Sequence, residues 1–91
     1  MKADYLVCYD ISDPRRLSKV LKVMKGSGKH LQYSVFHCVM TWEQLSDLKM
    51  KLNAVIDEEE DDVRIYPLPA GGRVIAMGCG DRLPEGVDLI E

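Results

Sequence analysis

The stretch Tyr5-Leu6-Val7-Cys8-Tyr9-Asp10-Ile11-Ser12-Asp13-Pro14 constrains this chain more than any other. An apolar, β-compatible run ends at a carboxylate, and an Asp-Pro pair follows at once. The run reads as a buried strand. Asp13 then caps free backbone N–H groups, and Pro14 takes the first helical position with its φ already set. A strand feeding directly into a helix implies layered α and β structure with Asp10 at the strand's carboxyl end, where such layers commonly place their chemistry. On residue physics alone the simpler role for Asp10 is to cap the turn or to help Asp13 meet the positive helix N-terminus.

The helix opened by Asp13 is predicted from Pro14 to Lys25, closing at Gly26-Ser27-Gly28 with a glycine in the left-handed conformation. Leu17, Val20, Leu21 and Met24 form its buried stripe. Arg15, Lys19 and Lys22 recur at i, i+4 and i+7, with Arg16 beside them. This ladder of cations is either a solvated face or a track for a phosphate backbone. Residues 29–40 are rich in aromatic and β-branched types and make two short strands or one bent strand, with Ser34 the candidate for the bend. Thr41 opens a second helix with Gln44 completing a capping box, and Leu45, Leu48, Leu52 and Val55 give it an apolar stripe. Trp42, in the first turn, is expected to pack as a core or hinge anchor.

Asp57-Glu58-Glu59-Glu60-Asp61-Asp62 reads as a solvated loop, because contiguous acids repel one another and lack the alternation and glycine of a calcium loop. Val63–Tyr66 and Arg73–Gly78 read as strands. Val87–Ile90 reads as a short edge strand that invites pairing with another chain. The order β-α-β(β)-α-β-β is that of a ferredoxin-like α+β sandwich, βαββαβ with an extra C-terminal strand, in a single domain spanning 1–91. Strands this apolar leave the helix-free face of the sheet in need of cover, which points to a homodimer, and 91 residues bury only a modest core without one.

Charge separates along the sequence. Residues 1–40 carry a net +4 and the rest −7, within an overall −3, so a polyanion can dock on one side only. No apolar run approaches the roughly 18 residues of a membrane helix. Met-Lys-Ala-Asp leads straight into the first strand without the regions of a signal peptide, so a cytoplasmic protein is expected. Cys8, Cys38 and Cys79 are odd in number and widely spaced, as small buried hydrophobes are. His30 and His37 have no orienting partner visible in the sequence and read as structural. Tyr5, Tyr9, Tyr33 and Phe36 read as core rather than as base-stacking residues.

Tyr-Asp-Ile-Ser-Asp at 9–13, the following Arg-Arg-Leu-x-Lys-Val, Gly28 and Gln32-Tyr33-Ser34-Val35-Phe36 resemble the small CRISPR-associated Cas2 family over nearly the whole chain. The resemblance implies a ferredoxin-like homodimer in which each protomer's C-terminal segment, 79–91, pairs with the partner's sheet. It implies a role in acquiring CRISPR spacers, as the central dimer bridging two dimers of the Cas1 integrase. It further implies metal-dependent endonuclease activity on single-stranded RNA or double-stranded DNA, although some family members act only as scaffolds. By position, Asp10 is the family's catalytic and metal-binding residue. Tyr9, Ser34 and Phe36 fall on neighbouring motif positions, and Arg16 and Lys19 on its basic helix. Pro14 and Leu17 depart from the polar or basic residues of many relatives.

One Asp per chain suffices for Mg²⁺, or Mn²⁺, if the Asp10 residues of two protomers share the ion across a two-fold axis, since Mg²⁺ keeps several waters and takes one or two carboxylates. Ser12 or Ser34 would position the attacking water. Two other classes of function compete. One is a non-catalytic scaffold holding duplex DNA on Arg15, Arg16, Lys19 and Lys22. The other is a small-ligand regulatory domain of the same fold, for which the sequence shows no glycine-rich phosphate cradle.

Overall fold

The computed structural model describes residues 1–70 and Ile75. In chain order the elements are β1 (Ala3–Asp10), α1 (Pro14–Lys25), β2 (Lys29–Gln32), β3 (Val35–Met40), α2 (Trp42–Asn53) and β4 (Asp62–Pro67). The strands form one sheet in the order β2-β3-β1-β4, each neighbouring pair antiparallel. This is the ferredoxin-like α+β arrangement. The apolar run of β1 is explained by its central place between β3 and β4, while the short, polar β2 lies at an edge.

Alternation along the strands sorts residues between the two faces. Val7 pairs with Phe36 and Ile65, and Tyr9 with Val63, on the face that also carries His30, Cys38 and Met40. Val20 and Met24 of α1 and Leu48 and Leu52 of α2 close the core over it. Phe36, Met24 and Val7 are fully buried, and each such side chain contributes roughly 1.5–3 kcal/mol relative to exposure. Leu17, Leu21 and Leu45 pack against this centre where the sequence places them, and Val55 packs there too, although α2 ends at Asn53 and leaves Val55 in the turn beyond it.

The helix starts are also as predicted. Asp13 Oδ2 accepts from the backbone N–H of Arg15 and Arg16 at 3.0 and 3.1 Å. Thr41 Oγ1 accepts from Gln44 N–H while Gln44 Oε1 accepts from Thr41 N–H, at 3.1 and 2.8 Å. Tyr33 and Ser34 form the turn between β2 and β3, and the pairing slips between His30 and Gln32 just before it. Ser34 is therefore at the bend.

Three expectations are corrected. Gly26 caps α1 with φ −82°, in the right-handed region, so no left-handed residue is needed there. The glycine that matters is Gly28, where a Cβ would lie 2.5 Å from both Cys38 Sγ and the His37 carbonyl oxygen. Trp42 is 75% exposed rather than packed. It is the first residue of α2, and helical side chains lean toward the N-terminus, so its ring projects past the end of the core. The acidic run, finally, is not wholly solvated, because the Asp61 side chain is fully buried.

The predicted strands 73–78 and 87–90, Cys79 and the pairing segment 79–91 lie outside the described residues. The sheet's other face carries Leu6 and Cys8 of β1, Val35, His37 and Val39 of β3, and Tyr66 of β4. Val39 and Tyr66 remain about half exposed there, at 49% and 47%. Among the described residues no helix is long and apolar enough to cross a membrane.

Candidate metal site and nucleic-acid face

Asp10 is the last residue of β1, exposed, and in phase with Leu6 and Cys8 on the open face. Its carboxylate has no hydrogen-bond or ion-pair partner among the described residues. Asp62 stands opposite it in the ladder, and Arg64 Nε donates to Asp62 Oδ2 at 2.9 Å, offsetting the second charge. Among the described residues no group of three or more His, Cys, Asp or Glu side chains converges to hold an ion. Among the described residues the site thus offers the Asp10 carboxylate with Asp62 opposite it, a small set of hard oxygen donors that would suit a cation keeping most of its waters.

The strand end carrying Asp10 is fixed from below. Tyr9 N–H donates to the Ser34 carbonyl at 3.1 Å, and the Tyr9 hydroxyl donates to the Tyr33 carbonyl at 3.2 Å. His30 Nε2 lies 3.1 Å from that same Tyr33 oxygen. A carbonyl only accepts, so Nε2 donates, while Nδ1 is buried with no partner among the described residues. The His30 ring stacks on Phe36 with centroids 4.2 Å apart. Phe36 and Tyr9 are therefore supports rather than substrate contacts. Burial pushes the Tyr9 hydroxyl up to about 12, which keeps it protonated as a hydrogen-bond donor at neutral pH. Of the tyrosines and Phe36, Tyr33 departs from the core reading, being 66% exposed on the turn beside the strand end. His37 Nε2 sits 3.0 Å from Asp4 Oδ1, a partner that sequence separation hid.

Ser12 and Arg16 are engaged elsewhere than expected. Asp61 accepts from Ser12 N–H at 3.0 Å, Ser12 Oγ at 3.2 Å and Asp57 N–H at 2.8 Å. Arg16 grips the same carboxylate with Nε on Oδ2 at 2.7 Å and Nη2 on Oδ1 at 3.2 Å. Arg16 Nη2 also donates to Glu60 Oε1 at 3.1 Å and Ser12 Oγ at 3.3 Å. The Arg16 hydrogen bond, with those from Asp57 and Ser12, holds the Asp61 carboxyl well below the usual carboxylate range, and Asp61 raises the Arg16 guanidinium in return. Ser12 Oγ and the Nε and Nη2 donors of Arg16 are thus engaged within the chain. Arg15, Lys19 and Lys22 are exposed, and their side chains have no partner among the described residues. The acid at 61 escaped sequence reasoning because it lies 45 residues from Arg16. Its one local signal is its place at the end of the run, where the chain turns into β4.

A four-stranded antiparallel sheet in the order β2-β3-β1-β4 with two helices, an exposed carboxylate at the end of β1 and exposed cations on α1 define a small ferredoxin-like α+β protein. Residues 3–73 match the family described as CRISPR associated protein Cas2, and the chain belongs to that family. A relative from Thermodesulfovibrio yellowstonii, named CRISPR-associated endoribonuclease Cas2 2, is 51% identical over 89 residues, covering 98% of each chain. Among solved structures, one described as a hypothetical protein from Thermus thermophilus aligns with TM-score 0.82 at 36% identity, over 88% of this chain and 95% of that one. Streptococcus pyogenes Cas2 aligns with TM-score 0.73 at 35% identity, over 82% and 99%.

Proposed function

We propose that this protein acts in CRISPR spacer acquisition as a homodimer with a metal-dependent endonuclease centre at Asp10. The observation that carries the reading is the exposed Asp10 carboxylate at the end of the open sheet face, without a partner among the described residues, in a chain whose α1 also exposes Arg15, Lys19 and Lys22. Half-exposed Val39 and Tyr66 with Leu6, Cys8 and Val35 supply apolar surface for a second copy. With a two-fold axis through that face, the Asp10 carboxylates of the two protomers would be the residues that hold one Mg²⁺ or Mn²⁺. When bound, the ion supplies polarisation of a phosphate and a lowered pKa for a water. The chain's own contributions are distinct. Asp10 binds the ion, Tyr9 and the Ser34 carbonyl fix the strand end, and Arg15, Lys19 and Lys22 hold the phosphate backbone. Relatives named endoribonucleases support RNA as a substrate, and the family resemblance supports single-stranded RNA or double-stranded DNA. The family resemblance supports the Cas1 integrase as partner and the cytoplasm as the site of action.

The three unpaired cations favour a second reading, in which the dimer holds duplex DNA for the integrase and cuts nothing. Asp10→Asn separates the two. On the first reading Mg²⁺-dependent cleavage of RNA or duplex DNA disappears while light scattering still finds a dimer, and cleavage surviving in that variant refutes it. On the second, the wild type cleaves neither substrate, and its salt-sensitive duplex binding is untouched by the substitution.

A further inference from the structure

We infer that Asp61 is the positioning residue of the Asp10 site: through Ser12 and Arg16 it fixes the path of the β1–α1 loop and hence the stance of the Asp10 carboxylate. The inference rests on the reading of Asp10 as a metal ligand. Only Ile11 and Ser12 separate the strand end from the Asp13 cap. The ladder with β4 holds one end of this segment and the cap holds the other. Its middle is held by Asp61, which accepts both the backbone N–H and the hydroxyl of Ser12. Asp61 directly precedes Asp62, the ladder partner of Asp10, so the clamp and the site occupy adjoining strand ends.

The contacts also say what the clamp is not. A carboxylate offers about four lone-pair directions, and Asp61 receives five donors with its side chain fully buried, so it has no capacity left for a metal. The N-terminal N–H groups of α1 are already served by Asp13, so the clamp is not a helix cap. Arg16 spans both carboxylate oxygens with its planar fork, a geometry that lysine cannot reproduce at equal charge. What the contacts restrain is the loop that ends β1 and carries Asp10 into α1.

The test uses the full chain and Mn²⁺ alone, its free concentration read by electron paramagnetic resonance, beside thermal unfolding of every variant. Asp61→Asn and Arg16→Lys are each expected to weaken Mn²⁺ binding by about tenfold, the low end for groups that orient a ligand from behind. The double variant should be no weaker than the worse single one, because both act through one contact. Leu52→Ala, which opens the core away from the loop, should lower Tm with Mn²⁺ affinity unchanged, separating positioning from general loss of stability. If Asp61→Asn does not fold, Arg16→Lys carries the test. Wild-type Mn²⁺ affinity in the clamp variants, with binding lost in Asp10→Asn, overturns the positioning role while leaving the Asp10 reading intact. Wild-type affinity in Asp10→Asn overturns both.

Discussion

Removing one cation at a time from α1 separates the phosphate track from the clamp. Arg15, Lys19 and Lys22 recur along one face and are exposed with no partner among the described residues, whereas Arg16 is held by Asp61 and Glu60. Each phosphate contact makes log K fall with log salt by about 0.9. Raising salt from about 50 to about 200 mM therefore weakens binding roughly 3.5-fold per contact, and roughly 40-fold for three. Arg15→Ala, Lys19→Ala and Lys22→Ala should each flatten the slope by about 0.9 for every protomer engaged. Arg16→Ala should lower affinity at low salt, because it uncovers Asp61 and Glu60, yet leave the slope unchanged. Fluorescence anisotropy of a labelled duplex titrated across KCl concentrations measures both quantities. An Arg16→Ala slope flattened as much as that of Arg15→Ala would refute the reasoning, since it would mean that the guanidinium leaves its carboxylates to meet phosphate.

Gly28→Ala should destabilise the protein, because its methyl would meet the His37 carbonyl, which cannot yield without disturbing β3. Overpacking of this kind costs about 2 kcal/mol, and calorimetry should show Tm lower by about 10 °C. Acid should erase the contribution of Asp61. Its folded pKa lies below the unfolded one, so the stabilisation is complete above the ordinary carboxylate value of about 4 and is lost as pH falls further. The difference in urea-unfolding free energy between wild type and Asp61→Asn should accordingly narrow steadily as pH falls from about 5 to about 2. Trp42→Ala should shift stability by no more than about 0.5 kcal/mol, and acrylamide should quench the native protein's fluorescence as it does a free indole, given 75% exposure of the protein's one tryptophan.

The parts of the fold that could be read from sequence are those whose causes are local. Asp13-Pro14 and Thr41/Gln44 satisfy helix N–H groups within one turn, and the apolar stripes repeat at helical spacing, so α1 was legible to the residue and α2 at its start, while its stripe ran past its end to Val55. Asp10 was legible because a charge that ends an apolar run is conspicuous in one dimension. Where the cause lies elsewhere in the chain, the sequence misleads. Arg16 looks like its neighbours Arg15 and Lys19 until folding brings a carboxylate from 45 residues away. Asp61 looks like any member of an acidic run until its neighbours bury it. Gly28 has a conspicuous residue type, but the reason for it is the approach of β3 rather than the backbone angle a helix end suggests. Trp42 has a large apolar side chain at a helix start, and only the length of the core decides that it falls outside.

The Tyr33 carbonyl, reached by both the Tyr9 hydroxyl and His30 Nε2, gives the β2–β3 turn a form of redundancy. One oxygen with two lone pairs serves two independent donors, so loss of either leaves it satisfied by the other. Drift at position 9 to phenylalanine, or at position 30 to a residue that cannot donate, is thus survivable one change at a time. Only their combination strands the oxygen. The strand end that presents Asp10 is thereby buffered against single mutations on the side of the turn, while in the middle of the β1–α1 loop a single carboxylate carries the restraint on Ser12, and it is there that substitutions should be less tolerated.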